Sequence, residues 1–115
     1  MIALMLNEHD LRRLALSLPE AVEAPHFDLT SFRVKGKIFC TLGSDRPAML
    51  KLSPEDQANL VAADPRIRPV PGYWGRKGST FVRFEDMEEG ELAGLLRTAW
   101  ASVAPKRLTK ASGAA

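Results

Sequence analysis

Leu29-Thr30-Ser31-Phe32-Arg33-Val34-Lys35-Gly36-Lys37-Ile38-Phe39-Cys40-Thr41-Leu42 is the stretch whose reading decides the fold. Two runs rich in β-branched and aromatic residues flank Lys35-Gly36. A two-residue connection with glycine second predicts an antiparallel hairpin closed by a primed turn. Upstream, Val22 to Phe27 reads as a short strand that Pro25 demotes to an edge or irregular piece. Downstream, Gly43 to Pro47 is a turn, Ala48 to Leu52 another strand, and Ser79 to Phe84 one more.

Helical patterns frame this β region. Asn7 caps a first helix, Glu8 and Asp10 fill its first turn, and Leu11, Leu14, Ala15 and Leu18 form one apolar stripe ended by Pro19. Ser53-Pro54-Glu55-Asp56 starts a second helix that runs to about Ala63 and buries Leu60 and Val61. Asp86, with Glu89 three residues on, reads as the cap of a last helix carrying Leu92, Leu95, Leu96, Ala99 and Val103, closed by Pro105. Arg66 to Gly78 holds Pro69, Pro71, Gly72, Gly75 and Gly78 and reads as a shaped loop with a short extended piece. The expected fold class is α+β: a two-layer sandwich of about five antiparallel strands with helices packed on one face. Residues 1–108 are expected to form a single domain, and 109–115 a disordered tail.

Composition sets the class. The 115 residues are 45% hydrophobic and 26% charged, ordinary values for a globular chain. Cys40 is the only cysteine, which excludes an intramolecular disulfide and a cysteine-built zinc site. The opening Met1 to Leu6 lacks a basic n-region, and no apolar run reaches bilayer length, so the expected location is the cytoplasm and no membrane partner is expected. Net charge is only +2, but its distribution is uneven. Arg66, Arg68, Arg76, Lys77 and Arg83 fall in one acid-free segment, and Lys106, Arg107 and Lys110 in another.

Strand parity divides the sheet. Phe32, Val34, Ile38, Cys40, Leu42, Leu50, Leu52, Val82 and Phe84 share the parity expected to meet the helices. Arg33, Lys35, Lys37, Phe39, Met49, Lys51, Phe81 and Arg83 share the other, a basic set with interleaved rings on a face that no helix covers. Charge for phosphates and rings for stacking is the surface of a single-stranded nucleic-acid binder. An ordinary solvated sheet face looks much the same, and dimerisation through it is a third reading, so monomer and weak homodimer both stay open.

Catalytic patterns are missing. His9 and His26 are the only histidines, and neither is placed by sequence next to Cys40. His26-Phe27-Asp28 offers two ligand types with no evident third, so no metal is expected. Gly72 to Gly78 lacks phosphate-loop spacing and precedes a strand, so no nucleotide cofactor is expected either.

Several separated blocks carry a family resemblance. Leu18-Pro19-Glu20, Phe32 to Phe39, Leu50 to Glu55, Pro71-Gly72-Tyr73-Trp74-Gly75-Arg76-Lys77-Gly78 and Val103 to Leu108 resemble the MmcQ/YjbR family in that order. The resemblance implies a fold like bacterial frataxin, a DNA-binding role and no catalytic residues. Ser79 departs from the pattern, which leads one to expect tryptophan there. Frataxin-type iron binding would need an acidic ridge on the first helix; here Glu8 and Asp10 are followed by Arg12 and Arg13, so iron is not expected.

The expected function is a nucleic-acid (DNA) binding module with mostly phosphate contacts and weak sequence preference, not an enzyme. The candidate contacts are Arg33, Lys35, Lys37, Lys51 and Arg83 on the sheet and Arg76 and Lys77 on the loop. Tyr73 and Trp74 are either stacking groups or anchors that pin the loop to the core. The alternative is a protein-interaction or small-ligand module that uses the 66–78 loop as a pocket wall.

Overall fold

A computed structural model describes residues 5–111. Its centre is one antiparallel sheet of β1 (Ala21–His26), β2 (Leu29–Val34), β3 (Lys37–Gly43), β4 (Arg46–Lys51), β5 (Ile67–Pro69) and β6 (Ser79–Val82), ordered β1-β2-β3-β4-β6-β5. Around it lie α1 (Glu8–Leu16), α2 (Pro54–Ala63), the single-turn α3 (Tyr73–Arg76), α4 (Glu89–Val103) and α5 (Lys106–Ala111). This is the two-layer α+β sandwich with helices on one face. The sheet of about five strands has six when β5, the short extended piece of the 66–78 stretch, is counted by its pairing with β6. No helix among the described residues is long and apolar enough to cross a membrane.

Local chemistry explains most boundaries. Asn7 Oδ1 accepts from the Asp10 N–H at 3.1 Å and Asp10 Oδ2 from the Asn7 N–H at 2.9 Å, a reciprocal cap on α1. Ser53 Oγ accepts from the Asp56 N–H and Pro54 opens α2. Lys35 and Gly36 both have positive φ, 51° and 80°, as the hairpin turn between β2 and β3 requires. α4 starts later than Asp86: Glu88 is its cap, and Glu91 Oε1 accepts from the Glu88 N–H. Both outer strands carry a proline, Pro25 in β1 and Pro69 in β5, which blunts the sheet edges.

The core fills the space between sheet and helices. α4 packs across β3 and β4, with α1 beside it. Trp100 is fully enclosed and its Nε1–H donates to the Pro19 carbonyl at 3.0 Å. Thr109, Lys110 and Ala111, read from sequence as part of a disordered tail, instead complete α5, whose Leu108 joins the core; residues 112–115 lie outside the described residues.

One irregularity corrects the expected faces. Phe32 pairs with Cys40 but Arg33 pairs with Ile38, so β3 carries one extra residue, Phe39. The bulge breaks strict alternation. Ile38 comes to lie opposite Arg33 and stays half-buried, whereas Phe39 is completely buried in the core. Parity from sequence assigns these two residues the other way round.

Arg66 ties the layers together. Its guanidinium meets Asp64 at 2.7 Å, Glu91 at 2.8 Å and Asp86 at 3.5 Å, joining the end of α2 to the start of α4. Hydrogen bonds from the Arg66 side chain, joined by its backbone N–H, hold the Asp64 carboxyl below the usual range.

Two outcomes test this account. Phe39→Ala should cost about 3–5 kcal/mol in urea unfolding, and Ile38→Ala less than half as much; the reverse order would restore the alternating register. For Asp64, a depressed folded-state pKa contributes stability above the unfolded value of about 3.9 that is lost as pH falls through the folded one. Asp64→Asn should therefore lower Tm at pH 7, and wild type and variant should converge as pH drops below that value.

Candidate nucleic-acid interface

Pairing register defines the helix-free face. Thr41, Met49, Phe81 and Arg68 lie directly opposite one another across β3, β4, β6 and β5, so they project from one side. Their neighbours Cys40, Leu50 and Thr80 point the other way and are fully buried under the helices.

Two concavities interrupt this face. The first is a cleft of about 340 Å³ at the β6–β5 edge, whose lining includes Arg46, Arg66, Arg68, Phe81 and Arg83 and one acid, Glu85. Arg66 is neutralised by its three carboxylates; Arg83 pairs loosely with Asp86 at 4.0 Å and also acts at longer range on Asp64, and Arg46 pairs with Asp45 at 3.7 Å. Arg68 makes no ion pair among the described residues, and its guanidinium lies 5.2 Å from the centre of the Phe81 ring. The second concavity is a hollow of about 320 Å³ nearer the sheet centre, bounded by His26, Thr41, Met49, Trp74, Ser79 and Phe81. Arg46 and Phe81 line both.

Trp74 reaches the hollow because α3 is held tightly from behind. A Cβ at Gly75 would sit 1.7 Å from the Val70 carbonyl oxygen, so only glycine lets the turn lie on its own approach chain. Gly78 has φ 110°, its carbonyl accepts from the Leu52 N–H at 2.9 Å, and a Cβ there would meet the Leu52 carbonyl. The third hold is Gln57, the one buried residue of α2. Its Nε2 donates to Gly75 O at 2.9 Å, Ser79 O at 3.0 Å and Thr80 Oγ1 at 3.0 Å. Tyr73 and Trp74 are therefore not anchors: they stand 55% and 64% exposed, edge to face at 5.1 Å. Leu60 and Val61, expected to be buried by α2, are only half-buried.

The residues singled out from sequence fall into separate groups. Tyr73, Trp74, Arg76 and Lys77 share α3 and its cap, with Lys77 Nζ 5.5 Å from the Tyr73 ring. Arg83 lines the arginine cleft. Arg33, Lys35 and Lys37 cluster at the β2–β3 hairpin, where Arg33 donates to Ser31 Oγ and the Pro25 carbonyl and Lys35 meets Glu20 at 2.7 Å. The Lys35 hydrogen bond, joined by Arg107, holds the Glu20 carboxyl below its usual range. Lys37 is exposed and makes no ion pair among the described residues. Lys51 Nζ donates to the Lys77 carbonyl at 3.0 Å and lines a different groove, between α2 and α4. Sequence reasoning did not single out Arg46 and Arg68, which line the cleft. The signal for Arg68 was its place opposite Phe81, which only the β5–β6 pairing supplies.

Burial pushes the Cys40 thiol far up, so no thiolate is present at neutral pH. Among the described residues no group of three or more His, Cys, Asp or Glu side chains is placed to hold a metal ion.

Comparison with known proteins adds a family. A family model described as YjbR matches residues 16–102. The crystal structure of the Deinococcus radiodurans protein DR2400, a DUF419 family-model domain, is similar with a TM-score of 0.70, 24% identity, and coverage of 91% of this chain and 86% of that one. That likeness shows the fold. No curated protein matches.

Gln57→Leu keeps the side-chain size and removes the donor, so it should cost about 1–3 kcal/mol in denaturant unfolding. It should also speed tryptic cleavage after Arg76 and Lys77 in the native protein. Unchanged cleavage would mean that the glycine contacts alone hold α3.

Proposed function

The chain belongs to the YjbR family, and we propose that it is a nucleic-acid binding module that holds a single strand, DNA in the first instance, on the helix-free sheet face. One observation carries the reading. Arg46 of β4, Arg68 of β5 and Arg83, the residue after β6, converge around Phe81 on a surface without covering helices, with Glu85 as the carboxylate in the cleft lining and Asp45 and Asp86 only loosely paired at its rim. Guanidinium groups suit phosphate because they offer paired donors in one plane. Arg76, Lys77 and Trp74 extend the surface at one side, and Lys37 at the hairpin extends it across the sheet. Arg33, Lys35 and Lys51 contribute less, since each already donates to a protein acceptor. Contacts of this kind are mostly to the backbone of the strand and give weak sequence preference. The cytoplasm is the proposed setting.

A second reading has its own support. Phe27, at the β1–β2 turn with φ 57°, is 92% exposed, and Val22 on the same outer strand is also exposed. Rings and branched side chains held in water suit a protein partner or a second copy of this chain. A stable complex recovered from nuclease-treated lysate, lost on Phe27→Ser, favours that reading.

The test of the first is fluorescence anisotropy of labelled single-stranded DNA over a salt series. Three to five phosphate contacts give a log–log slope of about −2 to −3.5, at roughly −0.7 per contact. Arg68→Glu with Arg83→Glu should weaken binding by about tenfold or more and flatten the slope by about one unit or more. Lys35→Ala should change affinity less than twofold. No binding at low salt and micromolar protein sinks the DNA reading.

A further inference from the structure

We infer that the hollow on the helix-free face is a subsite for one unpaired nucleobase, an inference that rests on the nucleic-acid reading above. Size comes first. At about 320 Å³ it lies at the low end of clefts that hold small ligands, roughly 300–1,000 Å³, so it takes a single planar ring system with part of its sugar. The walls come next. Met49 and Phe81 give an apolar floor, and Trp74, held out from α3, offers a ring for stacking.

The polar lining decides the class of occupant. Thr41 is only 5% exposed and Ser79 only 8%, yet neither hydroxyl makes a hydrogen bond within the described residues. Among the described residues no side-chain polar atom that is shut off from solvent lacks a partner. These two hydroxyls keep their access to solvent through the hollow they line. An apolar side chain from a protein partner would seal them off unpaired, an unfavourable exchange. A nucleobase would not, because its edge carries both donors and acceptors and a hydroxyl serves as either. Charge supports the same choice: Arg46 lines both the hollow and the arginine cleft, so a base in the hollow places its own phosphate beside Arg46, Arg68 and Arg83. A base inside a duplex cannot enter without extrusion, so the subsite selects single strands.

The experiment uses the full chain and its own fluorescence. Trp100 is fully enclosed and bonded to Pro19, so Trp74 is the tryptophan that reports on this face. Two single strands of equal length and charge are titrated: an oligothymidylate, and an abasic deoxyribose-phosphate strand. The oligothymidylate should bind about tenfold tighter or more and quench Trp74, while the abasic strand should bind without quenching. Thr41→Val combined with Ser79→Ala should bring the affinity ratio toward one and leave abasic binding unchanged. Trp74→Ala, at an exposed position, should do the same if the double variant does not fold. Equal, salt-dependent affinity for both strands overturns the base subsite and leaves the phosphate reading standing. An affinity ratio untouched by these variants puts the bases elsewhere and also overturns it. No binding of either strand at low salt overturns both readings.

Discussion

One primary amide sets the position of everything that the 66–78 segment contributes. Gln57 Nε2 has two hydrogens and three acceptors within 3.0 Å, from the turn of α3 and the first two residues of β6. A shared proton of this kind tolerates little displacement of any partner. The consequence runs in both directions along the chain. Toward α3 it fixes Gly75, and with it the side chains that stand out on either side. Toward the sheet it fixes Ser79 and Thr80, and so the entry of β6 between β4 and β5. Helix α2 gains in the process: its apolar residues are only half-buried, and this polar contact supplies what its weak apolar face does not.

Charge in this protein has to be counted in space. The acid-free run from Arg66 to Arg83 is not a uniformly positive surface, because Arg66 draws carboxylates from Asp64, Asp86 and Glu91 outside the run. Lys35 is similarly answered by Glu20 across the sheet edge. What is left over comes from distant parts of the sequence. Arg46 follows the β3–β4 turn, Arg68 sits in a three-residue strand, and Arg83 follows β6, yet one cleft gathers them.

The same distinction explains what could be read from the sequence. Features set by a few neighbouring residues were legible: the Asn7 and Ser53 caps, the Lys35-Gly36 turn, the edge position forced by Pro25, and the helices on one face. Features set by distant partners were not. β5 exists because β6 offers it a ladder. Phe39 is buried because one extra residue in β3 shifts the register against β2, and nothing in the local pattern announces the shift. The start of α4 moved from Asp86 to Glu88 although both fit a cap, since Asp86 turns toward Arg66 instead. Of the candidate residues, Trp74 and Arg83 line the two concavities, whereas Arg33, Lys35 and Lys51 have partners that the local sequence does not announce.

The neck between Leu52 and Gly78 has a consequence for how this fold can diversify. β4 and β6 pair as if joined by a short turn, yet the chain between them makes a long excursion through α2, β5 and α3 before returning. The two ends meet at a single backbone hydrogen bond, Leu52 N–H to Gly78 O, directly beyond the last ladder pair, Lys51 with Ser79. The entropy of closing such a loop rises only slowly with its length, by about 0.6 kcal/mol per doubling. Length changes at its exposed turns therefore cost little in closure entropy, provided that Gln57, β5 and the glycines of α3, which hold β6 in place, keep their contacts. The excursion is thus tolerant of length at its exposed turns and intolerant of change at the few positions that grip the sheet.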